Sequence, residues 1–352
     1  MSDRADRFLK ACQREPVDCT PVWFMRQAGR YMAEYRVLRQ QYSLLTMCKT
    51  PELAAQVTLQ PITRLPVDAA IIFTDLLIPV EPMGLTLEYL QGEGPVIHNP
   101  IRQISDVEAL RVIDPEAELP FTLEAIRIVC RELDGKVPLI GFAGAPFTVA
   151  SYLIEGGASR YYTQTKGLMY HEPKAWHTLL DKLAQVITAF LRAQIAAGAR
   201  AVQLFDSWVG CLSPPDYRAY VLPHSRQVIE GLRGVSAPVI HFGTGTATLL
   251  GPMREAGGSV IGVDWRIDLD DAWRRIGYDV GIQGNLDPVV LLGPLPEIDR
   301  RVDDILQRAE GRPGHIFNLG HGILPETPVE HVAAVAEMVH TRSVRAKART
   351  ER

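Results

Sequence analysis

The chain has 352 residues, of which 47% are hydrophobic and 22% charged, and its formal net charge is -4. This is an ordinary globular composition, long enough for one large domain or two medium ones. The slight negative charge argues against a general binder of nucleic acid or of anionic membranes, because such proteins usually carry a basic excess.

The cysteines and the N-terminal residues predict a cytoplasmic protein. The five cysteines are scattered without CxxC spacing, which favours reduced thiols over a disulfide framework or a zinc ribbon. The first residues, MSDRADRFLKACQ, lack the apolar stretch of a signal peptide. No run approaches the ~18 consecutive apolar residues that a membrane span needs. We therefore expect no membrane association.

Eight short apolar runs, often rich in β-branched residues, recur along the chain. Each has the length of a buried strand and shows little alternation, as expected for parallel strands covered on both faces. The runs are 21–25, 69–73, 138–144, 201–205, 238–242, 260–265, 280–285 and 315–320.

Segments with helical periodicity separate these runs, namely 51–65, 121–133, 176–198, 268–277 and 330–346. Pro51 suits a first helical turn and Gly198 suits a helix end. Strands that alternate with helices predict an α/β fold, a (β/α)8 TIM barrel that forms a single catalytic domain over residues 1–345. An open doubly wound sheet is the alternative, but no GxGxxG follows the first run.

Two segments fall outside this alternation. Residues 80–100, VEPMGLTLEYLQGEGPVIHNP, predict a β-hairpin or extended excursion after the second strand. Residues 346–352, at the basic and apolar-poor end of the chain, predict a flexible tail.

Polar side chains follow several predicted strands at the end where barrel enzymes carry their chemistry. Arg26 and Arg30 lie in RQAGR after the first run, and Asp75 lies just after the second. Tyr152, Ser207 and His321 follow the third, fourth and eighth runs, respectively. Parallel strands bring these ends to one rim, so we expect a common site there.

The two arginines have two possible partners. They could pair with Glu34 or another acid of the chain, or they could hold carboxylates or phosphates of a ligand in bidentate geometry. Gly29 allows a tight backbone turn beside them.

Each remaining candidate also has a structural alternative. Asp75 could cap or pair with a nearby helix, or could be a buried carboxylate that binds a ligand or stabilises developing positive charge. Tyr152 could simply pack, and Ser207 could be a helix N-cap. His321 could be structural, although Gly320 and Gly322 on either side let a ligand approach the backbone closely.

Three further polar residues near strand ends are interpreted as structural. Cys211 has no evident histidine partner in the sequence and is interpreted as inert. Asp264 and Asp287 are expected to cap or brace loops.

The stretches around these residues resemble the uroporphyrinogen decarboxylase family, in family order from residue 21 to about residue 331. They are PVWFMRQAGRYMAEYR, IIFTDLLIP, GFAGAPFTVASYLIEGG, QLFDSWVG, HFGTG, GVDW, QGNLDP and FNLGHGILPETP. Met32-Ala33 is a departure, since relatives often carry Leu-Pro there.

The resemblance implies a (β/α)8 barrel, usually a homodimer, that uses neither a metal nor an organic cofactor. It implies conversion of the four acetate side chains of uroporphyrinogen III to methyl groups, which gives coproporphyrinogen III and four CO2 in porphyrin and haem biosynthesis. The substrate contacts it implies are Arg26, Gln27, Ala28, Gly29, Arg30, Arg39, Asp75, Tyr152, Ser207 and His321.

A mechanism follows from that substrate. Asp75 would accept hydrogen bonds from the pyrrole N–H groups while arginines at the rim hold the peripheral acids. Protonation of a pyrrole carbon would create the electron sink for CO2 loss, and ionised Asp75 would stabilise the resulting cation. Arg26 is one candidate acid, although a guanidinium is a weak acid unless desolvated; His321 and a water near Tyr152 are the others.

Two rival functions differ from this one in testable features. A zinc-dependent methyltransferase for cobalamin or thiol substrates would need a set such as His-x-Cys near the fifth strand and a further Cys near the eighth. The fifth run offers His241-Phe242-Gly243, and the eighth offers no Cys. A non-catalytic tetrapyrrole carrier would have less need of a carboxylate beneath the ring.

Overall fold

The computed structural model of the chain describes residues 4–90 and 94–344. The predicted tail at 346–352 lies outside the described residues, and so do residues 91–93 of the predicted excursion. The helices are α1 (Arg4–Cys12), α2 (Ala33–Gln41), α3 (Leu44–Lys49), α4 (Pro51–Arg64), α5 (Ile104–Ala109), α6 (Pro115–Glu118), α7 (Pro120–Leu133), α8 (Pro146–Glu155), α9 (Thr163–His171), α10 (Pro173–Ala197), α11 (Pro214–Tyr220), α12 (Leu222–Gly231), α13 (Leu250–Ala256), α14 (Leu269–Ile276), α15 (Leu295–Ala309) and α16 (Val329–Arg342).

Nine strands form two sheets in the described part of the chain. They are β1 (Ala70–Ile71), β2 (Leu87–Leu90), β3 (Gly94–Ile97), β4 (Leu139–Gly144), β5 (Ala201–Asp206), β6 (Val239–Gly243), β7 (Val260–Gly262), β8 (Gly281–Leu286) and β9 (His315–Leu319). The main sheet is parallel and has seven strands in the order β1-β4-β5-β6-β7-β8-β9. From β4 onward each strand pairs with the next one along the chain, with helices between them, and β1 pairs with β4 across the segment that contains β2 and β3. The α/β architecture with a curled parallel sheet is therefore confirmed, and seven of the eight predicted runs supply its strands.

The first predicted run, 21–25, differs from a regular strand. It makes one parallel bridge, from Val22 to Phe317 of β9. The Phe317 N–H also donates to the Pro21 carbonyl at 2.9 Å, and the Asp68 N–H donates to the Val22 carbonyl at 2.8 Å. The run thus lies between β9 and the segment that leads into β1.

Side chains explain why this run lacks a full strand ladder. Three backbone N–H groups in the run donate to side chains instead of to the backbone of a neighbouring strand. Val22 donates to Asp68 Oδ2 (2.8 Å), Phe24 to Gln27 Oε1 (3.1 Å) and Met25 to Asn318 Oδ1 (3.0 Å). The backbone groups are satisfied, but only part of the pairing is between main chains.

The interior of the curled sheet is filled by side chains. Trp23 Nε1 donates to Gln283 Oε1, and Gln283 Nε2 donates to Gln203 Oε1, each at 3.0 Å. Nearby, Phe205 packs edge-on against two phenylalanines of the adjacent strands, Phe142 and Phe242, with ring centroids 5.4 and 5.7 Å away. The interior of the sheet is therefore a packed core, and the side chains that follow the strands are the candidates for a site.

The predicted excursion contains the expected hairpin. Strands β2 and β3 pair antiparallel, with Leu87 opposite Ile97. The Ile97 N–H donates to the carbonyl of Gly156, which ends α8, at 2.8 Å. The hairpin is thereby fixed to the helix that carries Tyr152.

The helix boundaries follow the predicted signals closely. Helix α4 begins at Pro51, and α10 ends just before Gly198, whose φ of +126° suits glycine. Helix α16 ends at Arg342, earlier than the periodicity suggested. Within the described ranges, none of the helices combines the length and apolar character that a membrane span requires.

Candidate active site

The loop after Met25 presents Arg26 in a left-handed backbone conformation. Its φ is +60°, which costs an ordinary residue about 1–2 kcal/mol. A Cβ at Gly29 would lie 3.0 Å from the Arg26 carbonyl oxygen, so the tight turn favours glycine there. Strained backbone of this kind persists where surrounding contacts fix it, and it is frequent at functional sites.

Gln27 provides those contacts from inside the protein. Its side chain is fully buried, accepts from the Phe24 N–H at 3.1 Å and donates to the Ala69 carbonyl at 3.0 Å. Its own carbonyl accepts from the Tyr31 hydroxyl at 2.7 Å. The amide therefore holds the loop in place, and direct contact of Gln27 with a substrate stays a prediction. The neighbouring Ala28 and Gly29 are half-buried.

The structure tests whether Arg26 and Arg30 pair with an acid of the protein. Both side chains are exposed, and neither forms an ion pair or side-chain hydrogen bond with any residue in 4–90 or 94–344. The suggested partner, Glu34, instead pairs with Arg64 at 2.6 Å. The alternative of a pair with Glu34 is therefore wrong. Both guanidinium groups are exposed and form no ion pair with an acid of the described residues.

The first and last loops of the sheet meet at Arg26. A Cβ at Gly322 would overlap the aliphatic stem of Arg26, so glycine at 322 makes room for that side chain. His321, beside it, is half-buried. Burial, and then the positive charges of Arg26 and Arg266, lower the pKa of His321 to about 4. The imidazole is therefore neutral at pH 7.

Asp75 lies on the same side of the sheet. Its Oδ1 accepts from the Leu77 N–H at 2.9 Å, which closes the turn after β1. Desolvation raises the pKa of its carboxyl, while interactions with Tyr89, the Leu77 N–H and Arg26 lower it in part. Asp75 as a whole residue is half-buried, and contact of its carboxylate with a ligand stays a prediction.

Tyr152 of α8 also lies within electrostatic reach of Asp75 and Arg26. Desolvation, followed by the negative charge of Asp75, raises the pKa of the Tyr152 hydroxyl, which therefore stays protonated. The Tyr152 ring packs on Trp208 with centroids 3.8 Å apart. Ser207, the residue before Trp208, is half-buried and is not a helix N-cap, because the short turn at Val209–Cys211 begins after Trp208.

Arg39 approaches this side of the site from α2. It is exposed, and its Nη1 donates to the Tyr42 carbonyl at 2.5 Å. Burial raises the pKa of the Cys48 thiol, Asp75 raises it further, and Arg39 lowers it. Cys48 thus has both Asp75 and Arg39 as electrostatic neighbours, and direct contact of Arg39 with a substrate stays a prediction.

Tyr89 of β2 is a site residue that the strand-end pattern missed. Its hydroxyl is buried and has no partner of standard hydrogen-bond geometry within the described residues. Burial and then the Asp75 carboxylate raise the pKa of this hydroxyl. The signal that could have found it is the alternation in LEYL, where Leu87 and Tyr89 share the inward face and Glu88 faces outward.

The residues interpreted as structural have the expected contacts. Asp264 accepts from the Gly245 N–H at 2.7 Å and pairs with Arg266, and Asp287 accepts from the Val289 N–H at 2.9 Å. Burial raises the pKa of the Cys211 thiol to about 11, so little thiolate is present at neutral pH. In the part of the chain that is described, no group of three or more His, Cys, Asp or Glu side chains is arranged to hold a metal ion.

The fold and the site together define a class: an α/β protein of the TIM-barrel-like kind with unpaired arginines and a half-buried carboxylate at one mouth. Residues 3–342 match the family model described as "Uroporphyrinogen decarboxylase (URO-D)". A uroporphyrinogen decarboxylase from Sorangium cellulosum is 61% identical over 336 residues, covering 96% of each chain. One from Carboxydothermus hydrogenoformans is 59% identical over 338 residues, covering 96% of this chain and 97% of the relative.

Among solved structures, a methyltransferase from Methanosarcina mazei superposes with a TM-score of 0.80 at 22% identity, covering 96% of this chain and 98% of that one. At that identity the likeness shows the fold alone. The chain belongs to the uroporphyrinogen decarboxylase family. The family predicted from the sequence is thereby confirmed, and so is the predicted enzyme class, a carboxy-lyase.

Proposed function

We propose that this chain binds uroporphyrinogen III at the mouth lined by Arg26 and Asp75 and removes CO2 from its four acetate side chains, giving coproporphyrinogen III. The observation that carries the assignment of the site is that opposite charges lie near each other there without forming an ion pair. A carboxylate and a guanidinium lie close enough to interact, while that guanidinium and its neighbour Arg30 have no ion-pair partner in the described chain.

Asp75 is proposed to sit beneath the macrocycle. Its Oδ1 already accepts from the Leu77 N–H, and a carboxylate has further lone pairs for the pyrrole N–H donors. The desolvation that raises its pKa in the free protein would be offset by these donors, since hydrogen bonds to the charged form favour ionisation. Ionised Asp75 then stabilises the cation that forms when a pyrrole carbon is protonated.

Arg26, Arg30 and Arg39 are proposed to hold the peripheral carboxylates. All three are exposed, so they meet an octa-acid before the ring reaches Asp75. Ala28, Gly29, Tyr152 and Ser207 are proposed to complete the contact surface. Gln27 is proposed to act through the loop that its amide holds.

The lowered pKa of His321 reduces the number of candidates for the proton donor. His321 has a pKa of about 4, so in the free protein at neutral pH fewer than about one molecule in a hundred carries the imidazolium. We therefore propose that His321 acts as a neutral hydrogen-bonding partner of the substrate. Arg26 or a water near Tyr152 then supplies the proton.

We also propose several features of the whole protein. The run at 21–25 closes the seven-stranded sheet into an eight-membered barrel, which the bridge from Val22 to Phe317 supports. Residues 1–345 form a single domain. The family resemblance supports a homodimer without cofactor. The scattered cysteines support a cytoplasmic protein, and the net charge of -4 argues against binding of nucleic acid.

The decisive experiment is anaerobic incubation with uroporphyrinogen III, with products separated by the number of carboxyl groups. We expect hepta-, hexa-, penta- and finally tetracarboxylate products with one CO2 per step. Tight binding without CO2 release would overturn the proposal in favour of a carrier. Stoichiometric zinc in active protein would instead favour the methyltransferase alternative.

A further inference from the structure

The hairpin of β2 and β3 contributes a polar group to the mouth that the strand-end pattern does not include. In the sequence L-E-Y-L, alternate residues point to opposite faces, and the burial of the strand follows that pattern. Leu87 is buried opposite Ile97. Tyr89, two residues on, points to the same inward face, toward β1 and Asp75.

The Tyr89 hydroxyl lies within interaction range of the Asp75 carboxylate. Its oxygen is buried and has no hydrogen bond of standard geometry to any described group. A buried hydroxyl without a partner is destabilising, and its O–H can rotate toward an acceptor. The acceptor within interaction range is the Asp75 carboxylate.

The surroundings of Asp75 leave this role open for Tyr89. The Leu77 N–H occupies Oδ1. The titratable and charged groups that face the carboxylate are Arg26 from the first loop, Cys48 from α3, Tyr152 from α8 and Tyr89 from β2. Arg26 is exposed and Tyr152 packs on Trp208, so both are available to substrate. Tyr89 belongs to a hairpin that is hydrogen-bonded to the end of α8, so its position does not depend on a bound ligand.

We propose that the Tyr89 hydroxyl donates a hydrogen bond to the Asp75 carboxylate and so positions it, ionised, beneath the bound macrocycle. Tyr89 is thus a positioning residue, and this inference rests on the proposed function of the mouth. Loss of the donor would leave Asp75 with Leu77 and Arg26 alone. Since a hydrogen bond to the charged form favours that form, the carboxyl would take up a proton at higher pH.

The test is the Tyr89→Phe variant, which removes one oxygen and keeps the packing. We expect the acidic limb of kcat/KM against pH to move upward by about one to two pH units. Raising the pH should restore most of the rate, since the variant would then again carry an ionised Asp75. Glu88→Gln, on the outward face of the same strand, is the matched control and should leave the limb in place. A purely structural role for Tyr89 would lower the rate at every pH without moving the limb, and that result would overturn the inference.

A second measurement does not depend on turnover. Protein labelled with 13C at the aspartate carboxyl carbon would be titrated by NMR, with Asp75 assigned from the signal lost in Asp75→Asn. We expect the Asp75 pKa to be higher in Tyr89→Phe than in the unaltered protein. An unchanged pKa would refute the role of Tyr89. Inactive unaltered protein with a shifted Asp75 would instead count against the proposed function alone.

Discussion

The two ends of the curled sheet use the same residue types in opposite ways. At the amino-terminal end, Asp68 is fully buried and accepts from Arg7 at 2.6 Å, from the Val22 N–H at 2.8 Å and from His340 Nε2 at 2.7 Å. Arg7 also pairs with Asp18. Every charge in this cluster has a partner of the protein's own.

At the carboxyl end, Arg26 and Arg30 are exposed, and no acid in the described residues pairs with them. Asp75 lies near Arg26 but keeps lone pairs free and is only half-buried. Charges satisfied within the fold stabilise the fold, whereas charges left unsatisfied are available to a ligand. Whether charged side chains are paired within the protein, more than which residues they are, separates the structural end from the proposed functional end.

The largest effect should come from removing the carboxylate at the functional end. We expect Asp75→Ala to lower kcat/KM for uroporphyrinogen by about a thousandfold, because the fixed charge opposite the developing cation is lost. Asp75→Asn should lose about as much, since it keeps the shape and removes the charge. Steady-state rates under anaerobic conditions measure this.

The matched control for that substitution is Asp287→Ala, just after strand β8 of the same sheet. Its carboxylate caps a short helical turn through the Val289 N–H, so its loss should cost about 1 kcal/mol of stability and little activity. A near-normal rate in Asp75→Ala would remove the basis for distinguishing the two ends.

The strand-end residues could be predicted from the sequence because their placement needs only strand order. Arg26, Asp75, Tyr152 and His321 each follow an apolar run, and parallel strands bring those ends to one rim. Family resemblance then added Arg39, which lies on a helix and follows no strand.

Other features depend on contacts between residues far apart in the chain, so local patterns could not reveal them. The run at 21–25 reads as a strand, but Asp68 and Asn318 take two of its N–H groups and shorten its ladder. The left-handed backbone of Arg26 and the inward amide of Gln27 depend on the same packing. Tyr89 became evident only when the hairpin was seen folded against α8.

The next largest effect should appear at the structural end, in stability. We expect Asp68→Ala to lower the free energy of unfolding by about 3–5 kcal/mol, because it leaves the buried guanidinium of Arg7 with only Asp18 and strips His340 of its partner. Denaturant unfolding monitored by circular dichroism measures this. Asp18→Ala, whose carboxylate is about one-third exposed, should cost less than half as much. Equal losses for the two variants would contradict the importance of burial.

The smallest and most selective effect should come from Arg30→Ala. Removing this exposed guanidinium should leave the free energy of unfolding within about 0.5 kcal/mol, since no ion pair or side-chain hydrogen bond within the described residues is lost. It should raise KM for the octa-acid substrate about tenfold or more. The inhibition constant Ki of the tetra-acid product, used as a competitor, should rise distinctly less, because that product has fewer carboxylates to be held.

Arg64→Ala provides the control for Arg30→Ala, because it removes another exposed guanidinium, one that already pairs with Glu34. It should change KM by less than twofold. Equal weakening of octa-acid and tetra-acid binding by Arg30→Ala would mean that Arg30 contributes general positive potential and no specific contact. Salt screens a general potential more strongly than it screens a direct bidentate contact. Repeating both measurements at high ionic strength therefore separates the two explanations.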